Sequence, residues 1–178
     1  MSIQESNANF NEAKTKLIES VRADLQQEFA ILSDQIGVKA VAWTQYTPYF
    51  NDGDACEFSV NGKQFSFVTL DEYDALLNKC RLEDNLYDNY TDVVSPDGKL
   101  VTFEAWEIYP LEEATSDYQK EKAQKLYTTI GADNAVKLIK FTQLINSIDD
   151  SIYLELFGDH VSVIMTPTET IIDEYDHD

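Results

Sequence analysis

The sequence predicts an α+β fold: a long N-terminal amphipathic helix and C-terminal helices packed on an antiparallel β-sheet, in a single domain. Three observations predict it. Apolar residues recur every three or four positions over residues 1–36 and again over 110–158, which is the helical period. Over 38–108 and 160–175 the period falls to two and turn signals separate the runs, so these stretches are mainly β, the second a hairpin. The chain has 178 residues, 43% of them hydrophobic, and no repeat or low-complexity linker divides it, which suits one domain with its own core.

The first helix rests on Phe10, Ala13, Leu17, Val21, Leu25, Phe29, Leu32 and Ile36, with Gly37 as its C-terminal stop. From Asn9 to Ile36 it would run about 40 Å at 1.5 Å per residue. A stripe of that length has to lie on other elements or on a second copy of itself. Val38, Ala40, Ala42 and Tyr46 then alternate as a strand. Cys56–Val60 and Gln64–Val68 flank Asn61-Gly62, a strong signal for a tight hairpin that would set Phe58 and Val60 opposite Phe65 and Phe67. A short helix near Asp71–Lys79 has Thr69 or Asp71 as its cap.

Ser95-Pro96-Asp97-Gly98 is a turn, because proline presets φ and glycine accepts the positive-φ position. Lys99–Ile108 follows as a strand with Val101, Phe103 and Ala105 on its more apolar face. Pro110 opens a helical region to about Thr129, broken at Ile130-Gly131. Asp133 is the expected cap of the next helix, with Val136, Ile139, Leu144 and Ile148 inward. A short helix starts at Asp149 or Asp150 and ends at Gly158. Val161–Met165 and Thr170–Tyr175 close the chain as a hairpin around Thr166-Pro167-Thr168-Glu169.

Charge narrows the function. Thirty-three Asp+Glu against 13 Lys+Arg give a formal net charge of −20. Residues 41–118 carry −12, 148–178 carry −9, and only 119–147 are positive, at +3. Phosphate-binding surfaces need a Lys/Arg footprint. Lys120, Lys122, Lys125, Lys137 and Lys140 read instead as a solvated helix face that pairs internally with the acidic blocks. Direct nucleic-acid binding is therefore not expected, whereas a partner with a basic surface is favoured by opposite fields. No apolar run reaches the roughly 18–20 residues of a membrane span, and Met1–Glu5 has no signal-peptide character, so a soluble cytoplasmic protein is expected.

Catalytic signatures are missing. The sequence has no phosphate-binding glycine loop, no G-x-S-x-G, no dinucleotide fingerprint and no cofactor motif. Cys56 and Cys80 fit no metal spacing and are expected as small buried hydrophobes in a reducing compartment. Asp52, Asp54 and Glu57 begin like a calcium loop, but the sixth position is Glu57 rather than Gly and the twelfth is Lys63, so the pattern fails. Asp159-His160 and the end Asp173-Glu174-Tyr175-Asp176-His177-Asp178 hold metal-ligand atoms without metal-ligand spacing, and no metal is assigned.

The densest unusual segment is Trp43–Asp54, four aromatics beside an acidic glycine turn. Exposed Trp and Tyr are common anchors for protein partners. Trp43, Tyr46, Tyr49, Phe50, Asp52 and Asp54 are therefore candidate binding residues, the alternative being that Trp43, Tyr46 and Phe50 are core. Asp71, Glu72, Asp74, Glu83, Asp84, Asp88 and Asp92 form the candidate charged surface, the alternative being a solubility-conferring coat.

Three stretches carry a resemblance: Trp43–Phe58 (WTQYTPYFNDGDACEF), Leu156–Val161 (LFGDHV) and Glu174–Asp178 (EYDHD). Together they resemble a family of small uncharacterised proteins of tailed bacteriophages and some bacterial genomes. No activity attaches to that family, so no catalytic residue transfers. The resemblance implies a phage or mobile-element setting, and with it the cytoplasm of an infected bacterium. The resulting expectation is a small acidic binding protein without catalysis that engages a basic host or phage protein, as a DNA mimic or inhibitor. Two other readings stand beside it. One is a virion structural or assembly protein that forms a homo-oligomer through the N-terminal helix. The other is a metal-dependent hydrolase built from carboxylates and His160.

Overall fold

The computed structural model describes residues 2–49, 55–69, 72 and 102–175. Helix α1 spans Ile3–Ile36. Strand β1 is Ala40–Tyr46, β2 is Ser59–Ser66 and β3 is Thr102–Glu104. Two single 3₁₀ turns, Ala105–Glu107 and Leu111–Glu113, lead into α2 (Asp117–Ile130), α3 (Ala132–Asn146) and α4 (Asp150–Phe157). Strands β4 (Val161–Met165) and β5 (Thr170–Glu174) complete an antiparallel five-stranded sheet of order β3-β2-β1-β4-β5. The α+β class and the long N-terminal helix are as the sequence predicts. No described helix is long and apolar enough to cross a membrane.

Register explains how one face of the sheet becomes core. Val41 pairs with both Phe65 and Met165, Trp43 with Val163, and Phe65 with Phe103. All of these are buried on the side that receives the helices. Phe141 of α3 packs against Phe29 of α1 at 5.7 Å and Phe65 of β2 at 6.0 Å between ring centroids. Trp43 sits edge-on to Tyr153 and Phe157 of α4, at 5.7 and 5.3 Å. Helix α1 enters this core only along its second half, where Leu25, Phe29 and Leu32 are buried and Ile18, Val21 and Ile36 pack alongside. Gln26 ties it to the β4–β5 turn, donating to the Thr166 carbonyl and accepting from the Thr170 hydroxyl at 2.7 Å.

Local chemistry sets the ends. Ser2 and Glu5 form a reciprocal capping box on α1, and Gly37 stops that helix at φ 81°. Ser116 and Gln119 cap α2 in the same way, so the helix begins at Asp117 and not at Pro110. Asp149 caps α4 through the Ser151 N–H, and Gly158 ends it.

Five expectations are corrected. Asn61-Gly62 is no hairpin turn: β2 runs straight through it, beside β1 along its length. The pairing jumps from Ala42↔Gln64 to Thr44↔Asn61, which leaves an extra residue on β2, and Gly62 takes φ 63° there. The positive φ that the dipeptide supplies serves a β-bulge instead. Val136 and Leu144 face solvent, each 43% exposed; α3 instead buries Ala135, Leu138, Ile139, Phe141, Thr142 and Ile145. Asp133 lies inside the first turn of that helix, and Gly131 is its cap. Cys56 is exposed, because it precedes β2 where the chain has not yet entered the sheet. The strand expected at Lys99–Ile108 is shortened at its described end, where the chain coils at Ala105–Glu107.

Candidate functional site

The C-terminal end of β1, the N-terminal end of β4 and the C-terminal end of β5 meet at one end of the sheet, since Gln45 pairs with Val161 and Val161 with Glu174. This juxtaposition gathers Tyr46, Thr47, Tyr49, Asp159, His160 and Tyr175. Gln45 anchors it from below. Its fully buried side chain accepts from the Trp43 indole N–H at 2.9 Å and donates to the carbonyls of Tyr153 and Gly158, at 3.1 and 2.5 Å. The glutamine thus fixes β1 to the end of α4, one residue before Asp159.

Asp159 then clamps the chain leaving β1. Its carboxylate accepts from the Thr47 N–H and the Thr47 hydroxyl, each at 2.8 Å, and from the His160 N–H at 2.8 Å. Burial by itself would raise the Asp159 carboxyl. The Thr47 hydrogen bonds, the His160 N–H and the nearby imidazole together hold it below the usual carboxylate range. His160 adopts φ 54°, a left-handed conformation that non-glycine residues seldom take and that recurs at functional sites. The turn it makes lays its ring flat against Tyr49, 4.7 Å between centroids and 12° from parallel. Tyr46 packs on Tyr175 at 5.6 Å, and the Tyr175 N–H donates to the His160 carbonyl at 2.8 Å.

Tyr49 is 67% exposed although its ring is held in place. Residues 44–49, 158–162 and 172–175 contain no Lys or Arg, while Asp159, Asp173 and Glu174 are exposed. The result is a preorganised aromatic surface built from segments that carry acids and no Lys or Arg. Such a surface suits a cationic side chain or a basic protein face.

Of the sequence-predicted binding residues, Tyr46 and Tyr49 come together here. Trp43 does not: it is 5% exposed and belongs to the core, because the inward parity of β1 places it with Val41 and Gln45. Glu72 is exposed, and its carboxylate accepts from the Thr69 N–H and hydroxyl, each at 2.8 Å, which lowers its pKa. Phe50, Asp52, Asp54, Asp71, Asp74, Glu83, Asp84, Asp88 and Asp92 lie outside the described residues. Among the described residues no group of three or more His, Cys, Asp or Glu could hold a metal ion. His160 Nε2 stands 3.7 Å from Asp159 Oδ2, an ion pair when the imidazole is protonated but beyond hydrogen-bond length.

No protein-family model matches the chain, and neither a curated protein nor a solved structure matches it.

Sequence reasoning missed a second exposed aromatic pair. Trp106 and Tyr118, 58% and 51% exposed, stack at 6.1 Å and 11°. Lys122 lies 5.5 Å over the Tyr118 ring and bonds the buried Glu107 carboxylate at 2.5 Å. The alternation expected for Lys99–Ile108 already put Trp106 on the less apolar face with Thr102 and Glu104, but nothing local pointed to Tyr118 as its stacking partner. The stacking of His160 on Tyr49 and the clamp of Asp159 on Thr47 had no local signal, since each contact spans more than a hundred residues.

Proposed function

We propose that this chain is a non-catalytic acidic binding protein that engages a protein with a basic surface through the Tyr49 end of the sheet. The observation that carries this reading is Tyr49 itself, two-thirds exposed yet stacked on His160, at an end of the sheet where Asp159, Asp173 and Glu174 are exposed. A ring already held in place loses little entropy on binding. The surrounding acids speed and orient the approach of a cationic face. The finer form of the proposal, in which the acids of residues 71–92 take the place of duplex phosphates on a nucleic-acid-binding host or phage protein, draws on the sequence and on the resemblance it carries.

The test is co-purification from bacterial lysate at about 0.1 and about 0.5 M salt, where the screening length falls from about 10 Å to roughly 4 Å. Wild type, Tyr49→Ala and Asp173→Lys/Glu174→Lys serve as baits. A stoichiometric basic protein should appear at low salt, vanish at high salt and be lost with either variant. Empty lanes at both salts, or a partner indifferent to both variants, would refute the reading.

A further inference from the structure

The first half of α1 carries a face that the body of the protein does not use. Ile3, Phe10 and Leu17 are 90%, 65% and 63% exposed, and they stand seven residues apart. Packing against the core begins only at Ile18 and continues through Val21, Leu25, Phe29, Leu32 and Ile36. On a helix of 100° per residue, that packed stripe is centred about 60° round from the Ile3–Phe10–Leu17 line, with Val21 at its near edge. Lys14 fixes which side faces the body, reaching Glu155 of α4 at 2.6 Å.

The residues around the line share its repeat. Ser6, Ala13 and Ser20, three positions after each large residue, are small and exposed. Glu5, Glu12 and Glu19, two positions after each, fall about 200° round on the outer side. A seven-residue apolar repeat with its acids turned away is the pattern of a two-helix seam.

We infer that a second copy of the chain covers this face, with the two α1 segments antiparallel over residues 3–20. The register that seats each large residue on a small one sets Ile3 against Ser20, Phe10 against Ala13 and Leu17 against Ser6. Every layer is then one large and one small side chain, so the axes come close without a void. Matching large and small positions make the face complementary to a second copy, and charge sets the direction. Residues 2–20 hold three acids and two lysines, net −1, in a chain of −20. Two copies can therefore meet here at little electrostatic cost. A parallel pairing would bring two strongly acidic bodies side by side. The antiparallel one separates them by the overlap, about 27 Å at 1.5 Å per residue, several screening lengths at physiological salt. Six large apolar side chains make an interface at the small end of stable ones, so the dimer is expected to be weak and concentration-dependent.

This inference is independent of the Tyr49 surface, and its test needs no foreign partner. Sedimentation equilibrium of the full chain from about 1 to 200 μM should show the mass rising from 20.3 kDa toward twice that value. The association should persist at about 0.5 M salt, since apolar burial drives it. Phe10→Asp and, separately, Leu17→Asp should each return a folded monomer whose melting no longer depends on concentration, because neither side chain touches the core. A mass that stays at 20.3 kDa throughout, or that neither substitution lowers, overturns the inference. Direction is read in a Cys56→Ser/Cys80→Ser background by mixing Ile3→Cys and Ser20→Cys chains under mild oxidation. A mixed disulfide supports the antiparallel register; an Ile3→Cys homodimer without it overturns that register.

Discussion

Replacing Gln45 by leucine puts a slightly larger apolar side chain in its place and removes every hydrogen bond the side chain makes. The Trp43 indole loses its acceptor, and the carbonyls of Tyr153 and Gly158 lose a donor, all in a site with no solvent exposure at Gln45. Each bond contributes about 1 kcal/mol net, and a stranded buried group costs about 1–3 kcal/mol. Burying the apolar leucine side chain returns roughly 1 kcal/mol. The balance is a loss of about 2–4 kcal/mol, a large share of the roughly 5–15 kcal/mol that holds a domain together.

Urea unfolding followed by tryptophan fluorescence measures it. Trp43 reports on the site, and a Trp106→Phe background silences the exposed second tryptophan. With a slope of about 2 kcal/mol per molar, the midpoint should fall by about 1–2 M. Melting should drop by roughly 5–15 °C. Gln45→Glu should be worse at neutral pH, where a carboxylate would face two carbonyls, and should recover partly on acidification. A Gln45→Leu midpoint within about 0.3 M of wild type would show that these buried bonds are not what joins β1 to α4.

Lys122→Met leaves the Glu107 carboxylate, 6% exposed, without its ammonium, so a loss of about 3 kcal/mol is expected in urea unfolding, and Glu107→Gln in the same chain should restore part of it. Thr47→Val removes one of the bonds that depress Asp159. A depressed carboxyl adds stability above its unfolded pKa near 4 and loses it as pH falls through the folded value, so the deficit of Thr47→Val, at most about 1 kcal/mol for so exposed a group, should be constant from pH 5 to 8 and close toward pH 2. Gly62→Ala meets no neighbouring atom but must hold φ 63°, so a cost of about 1–2 kcal/mol should appear in thermal unfolding, and Asn at the same position should cost less.

The sequence by itself determined the elements whose causes are local. The three-and-four spacing from Phe10 to Ile36, the stop at Gly37, the Asp149 cap and Gly158 end of α4, and the hairpin around Thr166–Glu169 all depend on residues within a turn or two of each other. Those interactions are written into adjacent positions, so they can be read there. The tertiary structure decided what depends on residues far apart. Asn61-Gly62 signals positive φ, but only a continuous β1 partner makes that a bulge rather than a turn. In α3, Val136 and Leu144 are as apolar as Ile139, and only the positions of Phe29 and Phe65 determine which side of the helix is buried. Trp43 and Tyr49 read alike as aromatics of one segment. The pleat of β1 sends the first into the core, and Asp159 and His160, more than a hundred residues on, hold the second at the surface. Local propensity names the candidates; long-range pairing and burial decide which of them a partner can reach.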